Sequence, residues 1–96
     1  MTNDEIVENR HNILDEIRAE RERQVSKWGG PDVDVENNTP ADFVLYVTHY
    51  ASKWFKGGLP PHDASSFREN MKKVAALAVA GIEAYDYEKS SLEENG

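Results

Sequence analysis

Residues 74–84, VAALAVAGIEA, decide the fold of this chain. The stretch carries one charge, Glu83, and is otherwise built from alanine, glycine and aliphatic residues. A helix that is apolar on all sides is normally surrounded by other elements, so we expect this segment to be a core helix enclosed on every side by two other helices or by a second subunit. It is about half as long as the roughly 20 apolar residues that a membrane-spanning helix needs.

A first helix is expected over residues 3–27. Thr2 and Glu5 have the spacing of a capping box, which marks its start. The run of residues 29–31, Gly-Gly-Pro, ends it, because glycine suits the position after a helix and proline cannot continue one. Residues 32–38 are then expected to form an acidic loop.

Two further helices follow. Residues 39–42, Thr-Pro-Ala-Asp, combine an N-cap residue with proline at the first helical position and predict a helix over 40–56. Ser66 and Glu69 form a second capping box and predict a third helix over 66–87, which contains the apolar stretch.

Length and composition restrict the architecture to one small domain. A chain of 96 residues has room for one core, and without cysteines it has no disulfides to support that core. The sequence therefore predicts an all-α domain over residues 1–88, a three-helix antiparallel bundle completed by a homo-oligomer, with a flexible tail over 89–96. The absence of cysteine, of a signal segment and of a membrane-length run favours the cytoplasm.

The charge of the chain is acidic and unevenly distributed. The net charge is −7, and residues 1–36 hold ten acidic against five basic side chains. This balance argues against direct nucleic-acid binding, which needs clustered Lys and Arg. An acidic face could steer a basic partner or a metal ion, or it could be a solvated surface that keeps the protein soluble.

The second predicted helix is unusually rich in aromatic residues. Phe43, Val47, Tyr50 and Trp54 form one stripe, and further apolar residues widen it. Two partner helices in a small monomer would not cover so much surface. Part of this helix is therefore expected to be a subunit interface or a binding surface.

The first helix carries polar residues where its apolar stripe should continue. Glu20, Arg21 and Gln24 occupy inward-facing turns between Ile17 and Val25. Trp28 and Trp54 could stack on a base, although aromatic residues at helix ends also close a core. His49 lies on the narrow polar face of the second helix, where it is either a surface residue or a ligand contact.

Glu83 and Asp86 are one helical turn apart, and two readings of them remain open. Glu83 could pair with Arg18 or Arg21 across the bundle and form a buried ion pair. Alternatively, carboxylate oxygens from two helices could hold Mg²⁺, which prefers hard oxygen ligands. The candidate metal ligands are Glu16, Glu20, Glu83 and Asp86.

Three segments together carry a resemblance: residues 19–29 (AERERQVSKWG), 38–50 (NTPADFVLYVTHY) and 73–84 (KVAALAVAGIEA). They resemble small all-helical phage and prophage proteins, and their pattern of residue types is similar to that of MazG-like nucleotide pyrophosphohydrolases. Those enzymes carry Glu-Glu-x-x-Glu on the second helix, whereas residues 42–49 here contain a single acid, Asp42. The resemblance implies a scaffold that has lost or changed its activity.

Together these features favour a non-enzymatic, phage-type binding protein that acts on a host factor in the host cytoplasm. It would either inhibit a host protein, as anti-CRISPR and other anti-defence proteins do, or form an oligomer that sequesters a nucleotide between its subunits, in both cases without a cofactor. The alternative is a Mg²⁺-dependent pyrophosphohydrolase. The candidate ligand- or partner-binding residues are Glu20, Arg21, Gln24, Trp28, His49, Trp54, Glu83 and Asp86.

Overall fold

The computed structural model describes residues 1–52 and 64–95, and within these ranges the protein is all-helical, as predicted. Residues 1–52 and 64–95 contain four helices and no strand. They are α1 (Asn3–Trp28), α2 (Pro31–Asn37), α3 (Pro40–Ser52) and α4 (Ala64–Asn95).

The two predicted helix starts in the first half of the chain are built as expected. The Thr2 hydroxyl accepts the backbone N–H of Glu5 at 3.2 Å, and the Glu5 carboxylate accepts the backbone N–H of Thr2 at 3.4 Å. Thr39 and Asp42 make the equivalent reciprocal pair at 3.3 and 2.8 Å at the start of α3. Each pair satisfies backbone donors that the first turn of a helix leaves without intrahelical acceptors.

The expectation of a loop over residues 32–38 is wrong, because residues 31–37 form α2. Gly30 provides an extended N-cap and Pro31 occupies the first helical turn. Asp32 and Asp34 place negative charge at the positive end of the short helix, which favours it. Seven residues are too few for a helical apolar pattern to be visible in the sequence.

Gly29 makes the reversal between α1 and α2 possible. Its φ is +100°, a backbone conformation that residues with a Cβ rarely adopt. A Cβ at this position would also lie 2.9 Å from the side chain of Val33. The tight turn therefore brings α2 back against the end of α1.

Helix α4 is the central element, since α1, α2 and α3 each pack against it. Of the two expected ways of enclosing residues 74–84, enclosure by the other helices of the same chain is wrong, and enclosure by a second subunit stays a prediction. The other helices cover one face of the segment, and the opposite face is open: Ala78 is exposed and Ile82 is 62% exposed. The buried apolar residues of the described ranges all come from the covered face: Ala76, Leu77, Ala80 and Ala84.

The boundaries of the later helices differ from the expected ones. Helix α4 begins at Ala64 and continues to Asn95, past residue 87 and through most of the expected tail. Residues 88–94 (EKSSLEE) include glutamate, lysine and leucine, which propagate a helix well even without packing. The expected end of the second helix, residues 53–56, lies outside the described residues. No described helix has the length and apolarity that crossing a bilayer requires.

Candidate functional site

The polar interruption in the apolar stripe of α1 faces the interior of the protein, as the sequence predicts. Glu20, Arg21 and Gln24 are 9%, 7% and 3% exposed, and they are the buried residues of α1. Apolar residues of the same helix are more open: Leu14 is 54% exposed. Helix α1 therefore packs against α4 partly through polar side chains.

Arg21 links three helices through two ion pairs. Its Nε donates to Glu83 Oε1 of α4 at 2.8 Å, and its Nη2 donates to Asp34 Oδ2 of α2 at 3.4 Å. The Arg21 and Asp34 side chains are 9% and 12% exposed, and that of Glu83 is 39% exposed. Of the two arginines expected to pair with Glu83, Arg21 does so, whereas Arg18 lies 3.7 Å from Asp15 on the surface.

Burial raises the pKa of the Asp34 carboxyl above its ordinary value of 3.8, although the Arg21 guanidinium acts in the opposite direction. The negative charges of Glu83 and Asp32 add to the increase. Two carboxylates thus share one arginine at this point. The ionised form of Asp34 is less favourable here than in water.

Gln24 is buried beside this network, and its Oε1 has no hydrogen-bond partner within residues 1–52 and 64–95. A buried acceptor left without a donor costs roughly 1–3 kcal/mol. Such a group in a native protein calls for an explanation, and an ordered water or a bound ligand can supply the donor. We refer to Arg21, Gln24, Asp34 and Glu83 as the polar junction.

A pocket of about 360 Å³ opens beside the polar junction, between α4 and the other three helices. Its volume is in the range of small-molecule sites. The Tyr46 hydroxyl donates to Asn38 Oδ1 at 2.9 Å, which fixes one wall. Aromatic and polar side chains share the lining: Trp28, Tyr46 and Tyr50 with Arg21, Gln24 and Asp34.

A second pocket of about 520 Å³ adjoins the first and shares Gln24, Trp28 and Tyr50 with it. Arg23 makes a bidentate pair with Glu20 at 2.9 and 2.7 Å. These hydrogen bonds lower the pKa of Glu20, which keeps that carboxylate ionised. Three cations and two acids line this second pocket: Arg23, Lys27 and Lys73 with Glu20 and Glu69.

No protein family model, no curated protein and no solved structure matches this chain. Its site must therefore be judged by its own chemistry.

The four candidate metal ligands are not gathered into one group. Glu16 makes a bidentate pair with Arg68 at 2.9 and 2.6 Å, and Glu20 and Glu83 are paired with Arg23 and Arg21. Within residues 1–52 and 64–95 there is no cluster of three or more histidine or acidic residues able to hold a metal ion. Glu16, Glu20 and Glu83 therefore each act as the partner of an arginine.

The remaining candidates occupy other places. His49 is exposed and lines neither pocket. Its ring and that of Tyr50 are nearly perpendicular, with their centroids 5.4 Å apart. Asp86 is exposed on α4, and Trp54 lies outside the described residues. The sequence did not single out Asp34, because an acid in an expected loop carries no signal of burial.

Proposed function

We propose that this chain is a non-catalytic binding protein of the type that phages use against a host factor, and that it sequesters a nucleotide in the aromatic pocket. The observation that carries the proposal is Gln24, which lines both adjoining pockets and whose buried Oε1 has no hydrogen-bond partner among the described residues. This group needs a donor that the described part of the chain does not supply.

A nucleobase fits the lining of the first pocket. Aromatic side chains stack on bases of any identity, and Trp28, Tyr46 and Tyr50 supply such surfaces. Every base also has an N–H or amino group that could donate to Gln24 Oε1. The bound base would then recover the free energy that the unpaired acceptor costs the free protein.

The second pocket suits the phosphate end of the same ligand. Arg23, Lys27 and Lys73 give it a local excess of positive charge in a chain whose net charge is −7. Because the two pockets share Gln24 and Trp28, one ligand could reach from the aromatic walls to these cations. Phosphate oxygens are favourable partners for such cations.

The arginine pairs of Glu16, Glu20 and Glu83 disfavour the Mg²⁺-dependent pyrophosphohydrolase, since hydrolysis would require these carboxylates to exchange arginine for metal. Inhibition of a host protein through the acidic residues of α1 is the other form of a binding function. Among the described residues, no feature comparable to the pocket supports inhibition of a host protein.

The test is equilibrium dialysis of the full chain against each of the four ribonucleoside triphosphates and their 2′-deoxy forms, with Mg²⁺ present. We expect retention of at least one intact nucleotide and no release of pyrophosphate. Gln24→Leu should weaken binding at least roughly tenfold, the cost of one lost hydrogen bond. Glu22→Leu is the matched control, because Glu22 lies on the same helix, is exposed and lines neither pocket.

Two outcomes would overturn the proposal. Retention of none of the eight nucleotides would remove the nucleotide as ligand and leave the inhibition of a host protein. Pyrophosphate release that disappears in Glu83→Ala would establish the enzyme instead.

We also propose the finer architecture that the sequence suggests. Helices α1, α3 and α4 form an antiparallel three-helix bundle, α2 fills its end, and a homo-oligomer covers its open side. The packing of α1 and α3 against α4 supports this arrangement.

A further inference from the structure

The two acids of the second pocket already have cationic partners. Arg23 directs its Nε and Nη2 to the Glu20 carboxylate, and Lys72 Nζ donates to Glu69 Oε1 at 3.0 Å. The Glu20 side chain is 9% exposed, so this carboxylate is held inside the site next to Arg23. Each of these pairs contributes little net charge to the pocket.

Two lysines that line the same pocket have no such partner. Lys27 of α1 and Lys73 of α4 form no ion pair with any residue of the described ranges. Lys73 is half-buried, and its charge lowers the pKa of Glu20 in addition to the larger effect of Arg23. The excess positive charge of the second pocket is therefore that of two ammonium groups, one from each of two helices.

Lys27 places its charge where the two pockets meet. Its Nζ lies 5.1 Å from the centroid of the Trp28 ring, and Trp28 borders both pockets. A ligand whose base lies among the aromatic walls of the first pocket would meet this ammonium group on entering the second. An ammonium group is a compact charge with three donors, which phosphate oxygens accept from many directions.

We propose that Lys27 and Lys73 make the site specific for nucleotides that end in a phosphate monoester, against nucleosides and cyclic phosphodiesters. The inference rests on the proposed function and names the class of nucleotide that the same site takes. A phosphate monoester carries about 1.5–2 negative charges at pH 7, which matches the two ammonium groups. A cyclic phosphodiester carries a single charge and leaves one ammonium group unmatched, and a nucleoside carries none.

The test is isothermal titration calorimetry of the full chain with ligands that share a base and differ in charge. The probes are the four ribonucleosides, their 3′,5′-cyclic monophosphates and their 5′-monophosphates, together with inorganic pyrophosphate, which has the charge without the base. For the base that binds, we expect the 5′-monophosphate to bind roughly tenfold or more tightly than the nucleoside, with the cyclic form between them. Added salt should reduce this difference, because it screens the lysines and not the stacking.

Lys73→Met removes one ammonium group and keeps most of the apolar side chain. It should weaken binding of the 5′-monophosphate roughly tenfold and leave the affinity for the nucleoside unchanged. Lys27→Met, on the other helix, should have the same effect. Lys89→Met is the matched control, because Lys89 is exposed on α4 and lines neither pocket.

The possible failures are distinguishable. A 5′-monophosphate that binds no more tightly than its nucleoside or its cyclic form would overturn the inference and leave the nucleotide proposal standing. Equal weakening of nucleoside and 5′-monophosphate in Lys73→Met would show a structural role for this lysine and overturn its assignment. Pyrophosphate binding that Lys73→Met abolishes, without binding of any nucleoside or nucleotide, would support the lysine pair as an anion site and contradict the proposed function. Binding of none of the probes would overturn both.

Discussion

The polar junction and the apolar groove lie against the same helix, α4; the apolar groove is formed by Val44, Val47, Ala78, Ile82 and Tyr85. Polar side chains normally favour water and large apolar ones the interior, and these two regions show the reverse. On one side of α4, Arg21, Gln24 and Asp34 are buried. On the other side, Ile82 and Tyr85 are more than half exposed. Polar groups are thus inside and large apolar groups are outside. The comparison shows that burial in this fold does not follow side-chain polarity, which is why we propose contacts beyond the single chain.

The two regions differ in what each lacks. In the polar junction, the buried Gln24 Oε1 accepts no hydrogen bond from any described residue and could therefore accept one from a ligand. The apolar groove has exposed side chains without neighbours, so it needs an apolar surface. A small hydrogen-bonding ligand, as proposed above, would meet the first requirement.

The largest expected effect contrasts two alanines of α4 that lie two residues apart. Ala80 is 3% exposed among the other helices, whereas Ala78 lies in the apolar groove. Ala80→Asp places an unpaired charge in the core and should unfold the chain, at a cost above about 4 kcal/mol. Ala78→Asp should keep helical structure at high protein concentration and reduce association. Circular dichroism melting and sedimentation of both variants check this, and equal loss of helix in the two would contradict the burial pattern.

The next effect concerns the polar junction itself. Arg21→Met removes the shared cation and leaves Asp34 buried without it, which should cost about 3–5 kcal/mol of unfolding free energy. Arg18→Met is the control, because Arg18 meets only Asp15 on the surface at 3.7 Å, and its loss should cost less than about 1 kcal/mol. Urea unfolding monitored at equilibrium measures both. Similar midpoints for the two variants would show that Arg21 does not hold α2 and α4 together.

The smallest effect is a dependence on pH. The raised pKa of Asp34 lets the folded chain take up a proton at a pH where the unfolded chain is still ionised. Asp34 therefore adds stability as the pH falls through its raised pKa, and this gain is complete below the ordinary value of 3.8. The pKa values of Glu16 and Glu20 are lowered by Arg68 and Arg23, so their stabilisation is present above 4.5 and is lost as the pH falls.

Asp34→Asn removes the contribution that grows on acidification and keeps the two that decline. The variant should therefore lose stability more steeply than the wild-type chain as the pH falls from neutral to the ordinary pKa values of Asp and Glu, 3.8 and 4.5. Urea midpoints of both proteins across that range give the comparison. Parallel curves would contradict the burial of an ionised Asp34.

The sequence predicted more of the polar junction than of the architecture around it. The break in the apolar stripe at Glu20, Arg21 and Gln24 predicted polar burial, because helical spacing fixes which residues face inward. For Glu83 the sequence left an arginine pair and a metal site open, and the structure has the pair, with Arg21. Neither Asp34 nor α2 was predicted, since a seven-residue helix has too few turns to show a pattern.

The exposure of one face of α4 could not be read from composition. Residues 74–84 are apolar all round, which indicates that every side should be covered but not by which molecule. The described helices of the chain cover the side of Ala76 and Ala80 and leave that of Ala78 and Ile82 open. Helical periodicity does not distinguish a face that packs within the chain from one that packs against another copy.

The most direct test of the central claim is the unfolding free energy of Gln24→Leu without any ligand. The claim is that the polar junction keeps the Gln24 amide oxygen unpaired for binding, at the expense of stability. Leucine has a similar size and no polar atom to satisfy, so the variant should be about 1–2 kcal/mol more stable than the wild-type chain, with Glu22→Leu as the control for leucine in this helix. A Gln24→Leu chain that is less stable than the wild type would show that the amide already contributes to the fold, and the account of the site would be contradicted.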